Sequence, residues 1–578
     1  MSAQLRCDLL VAGSGAGGLS AAVTAAVLGL KVIVVEKEAV YGGTTAWSGG
    51  WLWIPRNPLA MAAGIRDDIG NARTYLRHEL GERYDAALVD AFLEHGPRMV
   101  SFFQSRTSVA FIDGNAVPDF HGRSPGALQG GRSVCAAPFD ARQLGPRLAQ
   151  LRPPLDIMSL WGMGIAAGAE LRHFLNAMHS WNSFRYVARR VTSHWRDLLL
   201  HRRAMRLVAG NALVARLAKS AFDLGVELRL NSPVQRLLSK DGRISGAVVS
   251  SPAGPVEILA RRGVVLACGG FPHDVARRRA LFAHAPTGQE HWSAAPPGNT
   301  GDGLRLGEAA GGMVDASLPA AGAWAPVSQV PRRDGSVGHF PHLIERGKPG
   351  VIAVTRHGRR FVNEANSYYD FMTGLFAATP AGEAACAWLV CDHRFLRHYG
   401  LGHAKPAPMP LGPSLRSGYL KRGRSIAALA LACGIDGDAL RATIEEYNRH
   451  ARAGRDPLFG RGDTPYNRVQ GDAAHAPNPC VAPIEHGPYY AVKIVPGSLG
   501  TFAGLRTDAS ARVLDAHGAP LAGLYACGND MNSVMGGRYP SGGITLGPAM
   551  TFGYISAHHA AGIAPEQAPA GAELNAVT

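Results

Sequence analysis

The stretch CDLLVAGSGAGGLSAAVTAAVLGLKVIVVEK, residues 7–37, decides the expected fold of the first part of the chain. A short apolar run leads into a glycine-rich turn, an alanine-rich stretch and a second apolar run that ends in an acidic residue. This order predicts a strand, a turn, a helix and a second strand. Gly13, Gly15 and Gly18 stand in G-x-G-x-x-G register, and Glu36 closes the second strand.

That pattern favours a dinucleotide site. The glycines allow backbone N–H groups and the helix N-terminus to approach a pyrophosphate, and the Glu36 carboxylate can accept hydrogen bonds from ribose hydroxyls. The alternative is a glycine-rich turn without a ligand, but the flanking strands and helix support the dinucleotide. The next loop, YGGTTAWSGGWLWIP at Tyr41–Pro55, is also rich in small residues. Such a loop indicates that the ligand continues along the main chain beyond the pyrophosphate.

Two distant segments repeat the design of a strand that enters a glycine turn. They are GVVLACGGF at residues 263–271 and GLYACG at residues 523–528. We therefore predict an α/β chain with a Rossmann-like cofactor domain assembled from residues 1–284 and 486–578. Mixed strand and helix patterns between them predict an inserted α+β catalytic, or capping, domain at residues 285–485.

Length and composition limit the functional classes. A chain of 578 residues exceeds the usual size of one hydrophobic core. It has no apolar run of membrane-spanning length and no basic leader, so we expect a cytoplasmic protein. The net charge is +15, but the basic residues are spread along the chain, which gives no reason to expect nucleic-acid binding. The eight cysteines lack metal-binding spacing, which predicts reduced thiols and no metal.

One segment, residues 151–207, differs from the rest in composition. Between Arg172 and Arg206 it holds eight arginines and one acid, with aromatic residues interleaved. A basic, aromatic segment of this kind fits an anionic membrane surface or a lid over an apolar pocket. The other interpretation is a solvated arginine face whose aromatic residues pack in the core.

Several longer blocks occur together and in order. They are VAGSGAGGLSAA from Val11, NTGDG at 299–303, GRRFVNEANSYYDF at 358–371 and GLYACGNDMNSVMGGRYPSGGITLGPAM at 523–550. With these blocks the chain resembles the FAD-dependent flavoprotein superfamily of fumarate reductases and 3-ketosteroid dehydrogenases, and within it the 3-ketosteroid Δ1-dehydrogenases. The resemblance implies that the dinucleotide is FAD. Ser498 and Leu499 stand where fumarate reductases carry a histidine motif, which argues against dicarboxylate reduction.

The resemblance and the glycine loops together define the candidate cofactor site. Because the loop at residues 41–50 contains no histidine, we expect the FAD to be bound non-covalently. The candidate FAD-contacting residues are Gly13, Gly15, Ala16, Gly17, Gly18, Glu36, Lys37, Gly43, Thr44, Thr45, Ser48, Gly49, Gly50, Val234, Ala267, Gly269, Asp302, Gly528, Asn529, Gly543 and Leu546.

The resemblance also implies a reaction, the 1,2-desaturation of a ring beside its ketone. A proton leaves the carbon α to the carbonyl, and a hydride leaves the β carbon for flavin N5. In the family, a tyrosine hydroxyl and a glycine N–H hold the ketone oxygen, and these match Tyr539 and Gly543. The family's tyrosine base matches Tyr368, but Phe120 stands where a third tyrosine shares the proton. His121, Tyr369 and Tyr186 are candidates to replace that hydroxyl.

Other functions remain open at this level. The substrate could be a 3-ketosteroid, a 5α-steroid desaturated at Δ4 or a smaller cyclic ketone. The same chemistry in reverse would make an enone or alkene reductase, and a flavin-bearing electron-transfer protein at a membrane surface is a further alternative. No second nucleotide fingerprint is visible, so we expect a separate electron acceptor, a quinone or another oxidant.

Overall fold

The computed structural model describes residues 3–252 and 254–565. Its strands are β1 (Ala3–Ala12), β2 (Val32–Val35), β3 (Trp51–Trp53), β4 (Phe111–Asp113), β5 (Ser133–Ala136), β6 (Phe139–Asp140), β7 (Arg206–Leu207), β8 (Glu227–Arg229), β9 (Val234–Lys240), β10 (Arg243–Val249), β11 (Val256–Leu266), β12 (Trp292–Ser293), β13 (Gly322–Pro331), β14 (Val337–Pro341), β15 (Val351–Thr355), β16 (Ala387–Cys391), β17 (Leu420–Gly423), β18 (Tyr489–Thr501), β19 (Arg512–Leu514) and β20 (Pro520–Ala526).

Its α-helices are α1 (Ala16–Val27), α2 (Pro58–Ala62), α3 (Ile69–Leu80), α4 (Ala86–Arg106), α5 (Ala169–Leu175), α6 (Trp181–His201), α7 (Ala209–Asp223), α8 (Val275–Leu281), α9 (Asp302–Ala309), α10 (Tyr368–Ala378), α11 (His393–Tyr399), α12 (Gly412–Arg416), α13 (Ile426–Cys433), α14 (Gly437–Ala451), α15 (Pro465–Gln470) and α16 (Leu546–Ala561). The mixed α/β fold expected from the sequence is confirmed.

The largest sheet brings together strands that lie far apart in sequence. Its order is β19-β20-β11-β1-β2-β8, and β10 and β9 extend it from β11 as an antiparallel pair. The strands β20, β11, β1, β2 and β8 run parallel, so their carboxyl ends meet at one edge. The residues of β2 and of the carboxyl-terminal parts of β1, β11 and β20 are apolar and buried, as expected for parallel strands covered on both faces.

The helix α1 lies on this sheet and crosses α16 at very short range. A Cβ atom at Gly553 would lie 2.5 Å from the Gly17 carbonyl oxygen, so the two backbones could not approach this closely with larger residues. The Ser20 hydroxyl donates to the Met550 carbonyl, 2.7 Å away, at the same crossing. The N-terminal and C-terminal parts of the chain are thereby fixed to each other beneath the glycine turn.

A second sheet has the order β14-β13-β18-β16-β15, with β12 and β17 also paired to β18. Its central strand, β18, lies beyond residue 485, where the sequence analysis placed the end of the inserted domain. The pairing of β18 with β13 and β16 shows that this sheet continues past that boundary. The apolar pattern of β18 is that of any buried strand and carries no sign of which sheet it joins.

The basic segment contains two helices, α5 and α6, which pack against each other. In residues 3–252 and 254–565, no helix is both long and apolar enough to cross a membrane. All eight cysteines are free thiols.

Candidate active site

A continuous cavity of about 1780 Å³ opens at the edge where the parallel strands end. The turn after β1, the end of β2 and the turns after β11 and β20 all contribute to its wall. In open α/β sheets this edge is where ligands bind, because the loops there converge and expose backbone donors. The other end of the cavity is lined by residues of α10, α15 and the loop 539–546.

The glycine turn after β1 forms a narrow slot. Gly13 has a φ of 107°, and a Cβ atom there would lie 2.1 Å from the Ala267 carbonyl oxygen. Gly15 and Gly43 face each other across the slot, since a Cβ on Gly43 would lie 3.8 Å from the Gly15 Cα. The N–H groups of Gly15 and Gly17 have no acceptor in the described part of the chain. Paired glycines and open N–H groups at a helix start fit a pyrophosphate.

Acidic and hydroxyl side chains border that slot. Glu36 accepts hydrogen bonds from the Ser14 hydroxyl at 2.6 Å and from the Ser14 N–H at 3.2 Å, which holds its carboxylate at the end of β2. Lys37 pairs with Asp302 at 2.5 Å, and the ion pair holds the pKa of the Asp302 carboxyl below its usual value against the effect of burial. The Thr45 hydroxyl accepts from the Ala16 N–H at 3.0 Å.

The structure brings nearly all of the candidate cofactor residues to this cavity. Every candidate named from the sequence lines the cavity except Gly18. A Cβ atom at Gly18 would lie 2.1 Å from the Gly13 carbonyl oxygen, so this glycine serves the close contact between α1 and the preceding turn. Its place in the fingerprint reflects packing rather than contact with the cavity.

Two residues that hold this wall were not singled out from the sequence: Asn299, which lines the cavity, and Asp530, which is fully buried and does not line it. Asp530 accepts from the N–H groups of Cys268 and Gly270, at 2.5 and 2.9 Å, and thereby holds the turn after β11. Burial raises the pKa of the Asp530 carboxyl to about 6, although these hydrogen bonds oppose the shift. Asn299 donates to the Thr44 hydroxyl and the Gly269 carbonyl. Asn299 lies in the NTGDG block and Asp530 in the GLYACGND block. Their location in these blocks is the only feature of the sequence that could have indicated a role at the cofactor site.

Four aromatic rings cluster at the other end of the cavity. The rings of Tyr368 and Tyr539 meet edge to face at 5.0 Å, and Phe120 lies 5.6 Å from Tyr368 and 5.8 Å from Tyr539. Tyr466, at the start of α15, lies 4.6 Å from Phe120. All four side chains are buried and line the cavity. Nothing in the local sequence TPYNRVQ marks Tyr466 as part of a site.

The loop that carries Tyr539 and Gly543 is fixed by contacts to its carbonyl groups. Tyr75 and Tyr369 donate to the carbonyls of Pro540 and Gly537, at 2.6 and 2.8 Å. The Gly543 carbonyl accepts from the N–H of Trp53 at 3.1 Å, while the described residues offer no acceptor to the Gly543 N–H itself. Gly543 has a φ of 98°, which favours glycine at this position. An immobile tyrosine hydroxyl and an available N–H are therefore present in one loop.

The tyrosine pKa values are dominated by burial. Burial raises the pKa of Tyr539 to about 12, although a hydrogen bond from Tyr368 opposes the shift. Burial raises the pKa of Tyr368 well above its usual value, while the guanidinium of Arg346 opposes this effect. Arg346 is 1% exposed, and its guanidinium nitrogens donate to backbone carbonyls, including those of His342 and Glu364. No described carboxylate oxygen lies within 4.0 Å of its nitrogen atoms, and the carboxylates of Glu345 and Glu364 act on its charge only from a greater distance.

The polar atoms of the three suggested replacements for the missing hydroxyl at Phe120 bind other groups, although the ring of Tyr369 lies 6.0 Å from that of Tyr539. His121 lies between Glu79 and Asp370, with its ring nitrogens 2.5 and 3.1 Å from their oxygens. Burial favours neutral His121, but these two partners prevail and raise its pKa to about 10. Tyr369 donates to Gly537, and Tyr186 donates to Glu170 in the basic segment at 3.2 Å. The fold instead brings the hydroxyl group of Tyr466 into the aromatic cluster, where its ring lies 4.6 Å from that of Phe120.

A protein-family profile described as FAD binding domain matches residues 8–546. The chain belongs to this FAD-binding family. It is 41% identical over 561 residues to the 4-oxocyclohex-2-ene-1-carboxylate 5-dehydrogenase of Sinomonas cyclohexanicum, covering 97% of this chain and 94% of that protein. It is 36% identical over 570 residues to the 3-oxosteroid 1-dehydrogenase of Mycobacterium tuberculosis, covering 96% and 98%.

The fold of this chain is also similar to that of a solved structure. The crystal structure of 3-ketosteroid delta1-dehydrogenase from Sterolibacterium denitrificans, in complex with 1,4-androstadiene-3,17-dione, superposes with a TM-score of 0.88. The two chains are 35% identical, and the match covers 96% of this chain and 99% of that one. The resemblance inferred from the sequence blocks is confirmed, and with it FAD as the cofactor and oxidoreductase as the class of enzyme.

Proposed function

We propose that this enzyme desaturates a ring next to a ketone, as in the 1,2-desaturation of a 3-ketosteroid. The proposal rests on two donors in one loop, the Tyr539 hydroxyl and the Gly543 N–H, which has no acceptor among the described residues. The ring of Tyr368 lies 5.0 Å from the ring of Tyr539. Two donors in a buried loop can hold a ketone oxygen as negative charge develops on it. A tyrosine across from them can then take the α proton.

The proton and the electrons have separate destinations in this proposal. Tyr368 takes the proton from the carbon α to the ketone, and the β carbon loses a hydride, so that a C=C bond replaces two C–H bonds. FAD, when bound, supplies the oxidant that accepts the hydride, and a separate two-electron acceptor such as a quinone restores it. Arg346 favours the tyrosinate form of Tyr368, because it is a buried cation without a carboxylate partner.

Tyr466 supplies the hydroxyl group that is missing at Phe120, where the family has its third tyrosine. Its ring packs on Phe120, and its charge state is coupled to those of Tyr368 and Arg346. A buried tyrosine that shares a proton with Tyr368 offers the proton a route away from the base. The proposed catalytic residues are therefore Tyr368, Tyr539, Gly543 and Tyr466, and Phe120 acts as a packing surface.

We also propose a division of the chain that supports this chemistry. The parallel sheet with its glycine turns is the Rossmann-like FAD domain, and the second sheet, which includes β18, forms the capping domain. The FAD is held without a covalent bond, because the loop 41–50 offers no histidine. Precipitation of the holoprotein with acid should leave all of the flavin in the supernatant, and flavin retained in the pellet would contradict this.

The basic segment contributes both a wall and an outer surface. Tyr186 and Val187 of α6 line the cavity, while Trp181, Trp195 and Leu199 are 70%, 53% and 84% exposed. The apolar residues at positions 181, 184, 188, 195 and 199 of α6 are spaced three, four or seven apart and so share one face, on which all but the half-buried Ala188 are exposed. Exposed arginines at 185, 189 and 196 flank that face. We propose that this face lies on an anionic membrane surface.

The test of the reaction mixes purified holoenzyme with ring ketones under argon. Cyclohexanones, 3-ketosteroids and 5α-steroids are compared, and the visible flavin absorbance is followed. We expect one class to bleach the flavin in a single turnover and to yield the unsaturated ketone by mass spectrometry. A parallel experiment supplies reduced dye and an enone. Turnover only with the enone would establish a reductase, and no bleaching by any ketone would overturn the desaturase.

A further inference from the structure

The cavity wall carries seven cations and seven acids, but its cations are unevenly paired. Three of the wall's cations are paired with carboxylates: Lys37 with Asp302 at 2.5 Å, Arg206 with Glu170 at 2.7 Å, and Arg152 with Glu38 at 3.9 Å. Four further cations, Arg172, Lys348, Lys405 and Arg468, also line the cavity. Within residues 3–252 and 254–565, none of these four comes within 4.0 Å of a carboxylate oxygen.

The two lysines are partly buried and meet only neutral groups at short range. Lys348 donates to the Gly471 carbonyl at 2.5 Å. Lys405 makes a long contact of 3.4 Å with the Ile157 carbonyl and lies 5.6 Å from the centre of the Phe340 ring. Burial lowers the pKa of both ammonium groups. A half-buried ammonium without a counter-ion is unfavourable, and an anion placed beside it would remove that cost.

The carboxylates in this part of the wall already have partners. Glu345 acts on both lysines from a distance, but its oxygen lies 2.5 Å from the His342 ring nitrogen. Asp472 accepts a hydrogen bond from the Tyr399 hydroxyl at 2.6 Å. In this part of the wall the four cations Arg172, Lys348, Lys405 and Arg468 outnumber the two acids, Glu345 and Asp472. Arg172 and Arg468 are exposed and add to the attraction that an entering anion would meet.

This cationic wall adjoins the aromatic cluster. Gly471, which contacts Lys348, directly follows α15, and α15 carries Tyr466. Lys348 lies two residues after Arg346, the cation coupled to Tyr368. We propose that Lys348 and Lys405 bind a carboxylate on the substrate ring, at the end away from the ketone. The proposal rests on the proposed function, and it makes an acidic ring ketone, rather than a neutral steroid, the preferred substrate class.

The experiment compares 4-oxocyclohexanecarboxylate with its methyl ester in the holoenzyme. A charged hydrogen bond in a partly buried site corresponds to roughly a 10- to 100-fold preference, so kcat/KM should be higher for the acid by that factor. Lys348→Met and Lys405→Met should each reduce kcat/KM for the acid about tenfold or more, mainly through KM, and leave the ester unchanged. Lys240→Met, at an exposed lysine of β9, is the matched control.

A ligand that cannot be desaturated tests the carboxylate site independently of the desaturation reaction. Binding of 4-hydroxybenzoate and its methyl ester is measured by calorimetry on the holoenzyme and the two lysine variants. Tight binding of the acid that depends on Lys348 would support the site even if no ketone bleached the flavin. Equal kcat/KM for acid and ester, or equal losses for both in the lysine variants, would overturn the carboxylate site while leaving the desaturase intact.

Discussion

Tyr539 holds its place because the residues around it leave its side chain no other position. Phe120 stacks on one side of its ring, Tyr368 meets its edge, and the carbonyls on either side accept hydrogen bonds from Tyr75 and Tyr369. A donor that is fixed in this way loses little entropy when it binds an oxyanion. The Tyr539 hydroxyl group itself interacts with the side chains of Tyr368 and Thr545.

Replacing Tyr539 with phenylalanine should reduce kcat on the order of 10²- to 10³-fold, because one donor to the developing oxyanion is removed. Flavin content should stay the same, since the ring remains. Steady-state assays with a dye acceptor measure the change. Tyr447→Phe is the matched control, as Tyr447 is equally buried but lies in the core of the second sheet. A loss of less than tenfold would show that Tyr539 does not hold the ketone.

His121 links α3, through Glu79, to α10, through Asp370. Its pKa is raised to about 10 in the folded protein, against an unfolded value near 6.5. The stability that it contributes is therefore complete below about pH 6.5 and is lost as the pH rises towards 10. His121→Gln should lower Tm most at pH 6, and the difference from wild type should close by pH 10. Thermal scans of holoprotein across this range test it, and a constant difference would contradict it.

At the scale of the element, α6 combines two roles that usually belong to separate helices. Its inner face carries Tyr186 and Val187 to the cavity, and its outer face exposes Trp181, Trp195 and Leu199. Exposed aromatic residues beside arginines match the interface of a lipid bilayer, where rings enter the headgroup region and guanidinium groups meet phosphates.

The double variant Trp195→Ala with Leu199→Glu should abolish sedimentation of the protein with vesicles that contain anionic lipid. The reason is that apolar area is removed and a negative charge is added on the face proposed to contact lipid. Turnover of a water-soluble substrate should be unchanged. Leu431→Glu, at an equally exposed apolar residue on α13, is the control. Binding that is the same for wild type and variant, or equal on neutral vesicles, would exclude this surface.

At the scale of the whole molecule, the FAD site depends on parts of the chain that are hundreds of residues apart. The slot needs Gly15 and Gly43 from the start of the chain, Asp302 from its middle and Asn529 from near its end. A ligand that touches all of these binds only the assembled fold, so it stabilises that fold by mass action.

Gly15→Val should abolish the rise in Tm that FAD gives to the apoprotein, because its branched side chain, starting from a Cβ 3.5 Å from the Thr45 hydroxyl oxygen, would occupy part of the slot. The Tm without FAD should change little, since Gly15 has an ordinary φ of −77°. Gly437→Ala on α14 is the control, because its new Cβ would make only an ordinary contact of 3.6 Å, with the Cβ of Ala430. Titration of FAD with thermal scans measures the effect. An undiminished shift would place the pyrophosphate elsewhere.

The sequence predicted the features that local chemistry determines. The strand, turn and helix at residues 7–37 and the repeated turns after β11 and β20 follow from short patterns, because parallel strands bring their ends together. Tyr466 was not predictable, since only the packing of α15 against Phe120 gives it a role. The membership of β18 in the second sheet was missed for a similar reason: strand pairing is a long-range choice that an apolar run does not encode.

The separation of the sheet's strands has a consequence for synthesis on the ribosome. When β1 and β11 have emerged and paired, β10 covers the start of the far edge of β11, but the end of that edge, Val264–Leu266, still awaits β20, which is translated more than 250 residues later. During that interval a nascent chain carries an open, apolar strand edge of the kind that chaperones cover and that otherwise aggregates. The flavin site is completed only as the last helix, α16, is added. Expression of the full-length protein should therefore fall when chaperones are depleted, which the yield of soluble protein measures.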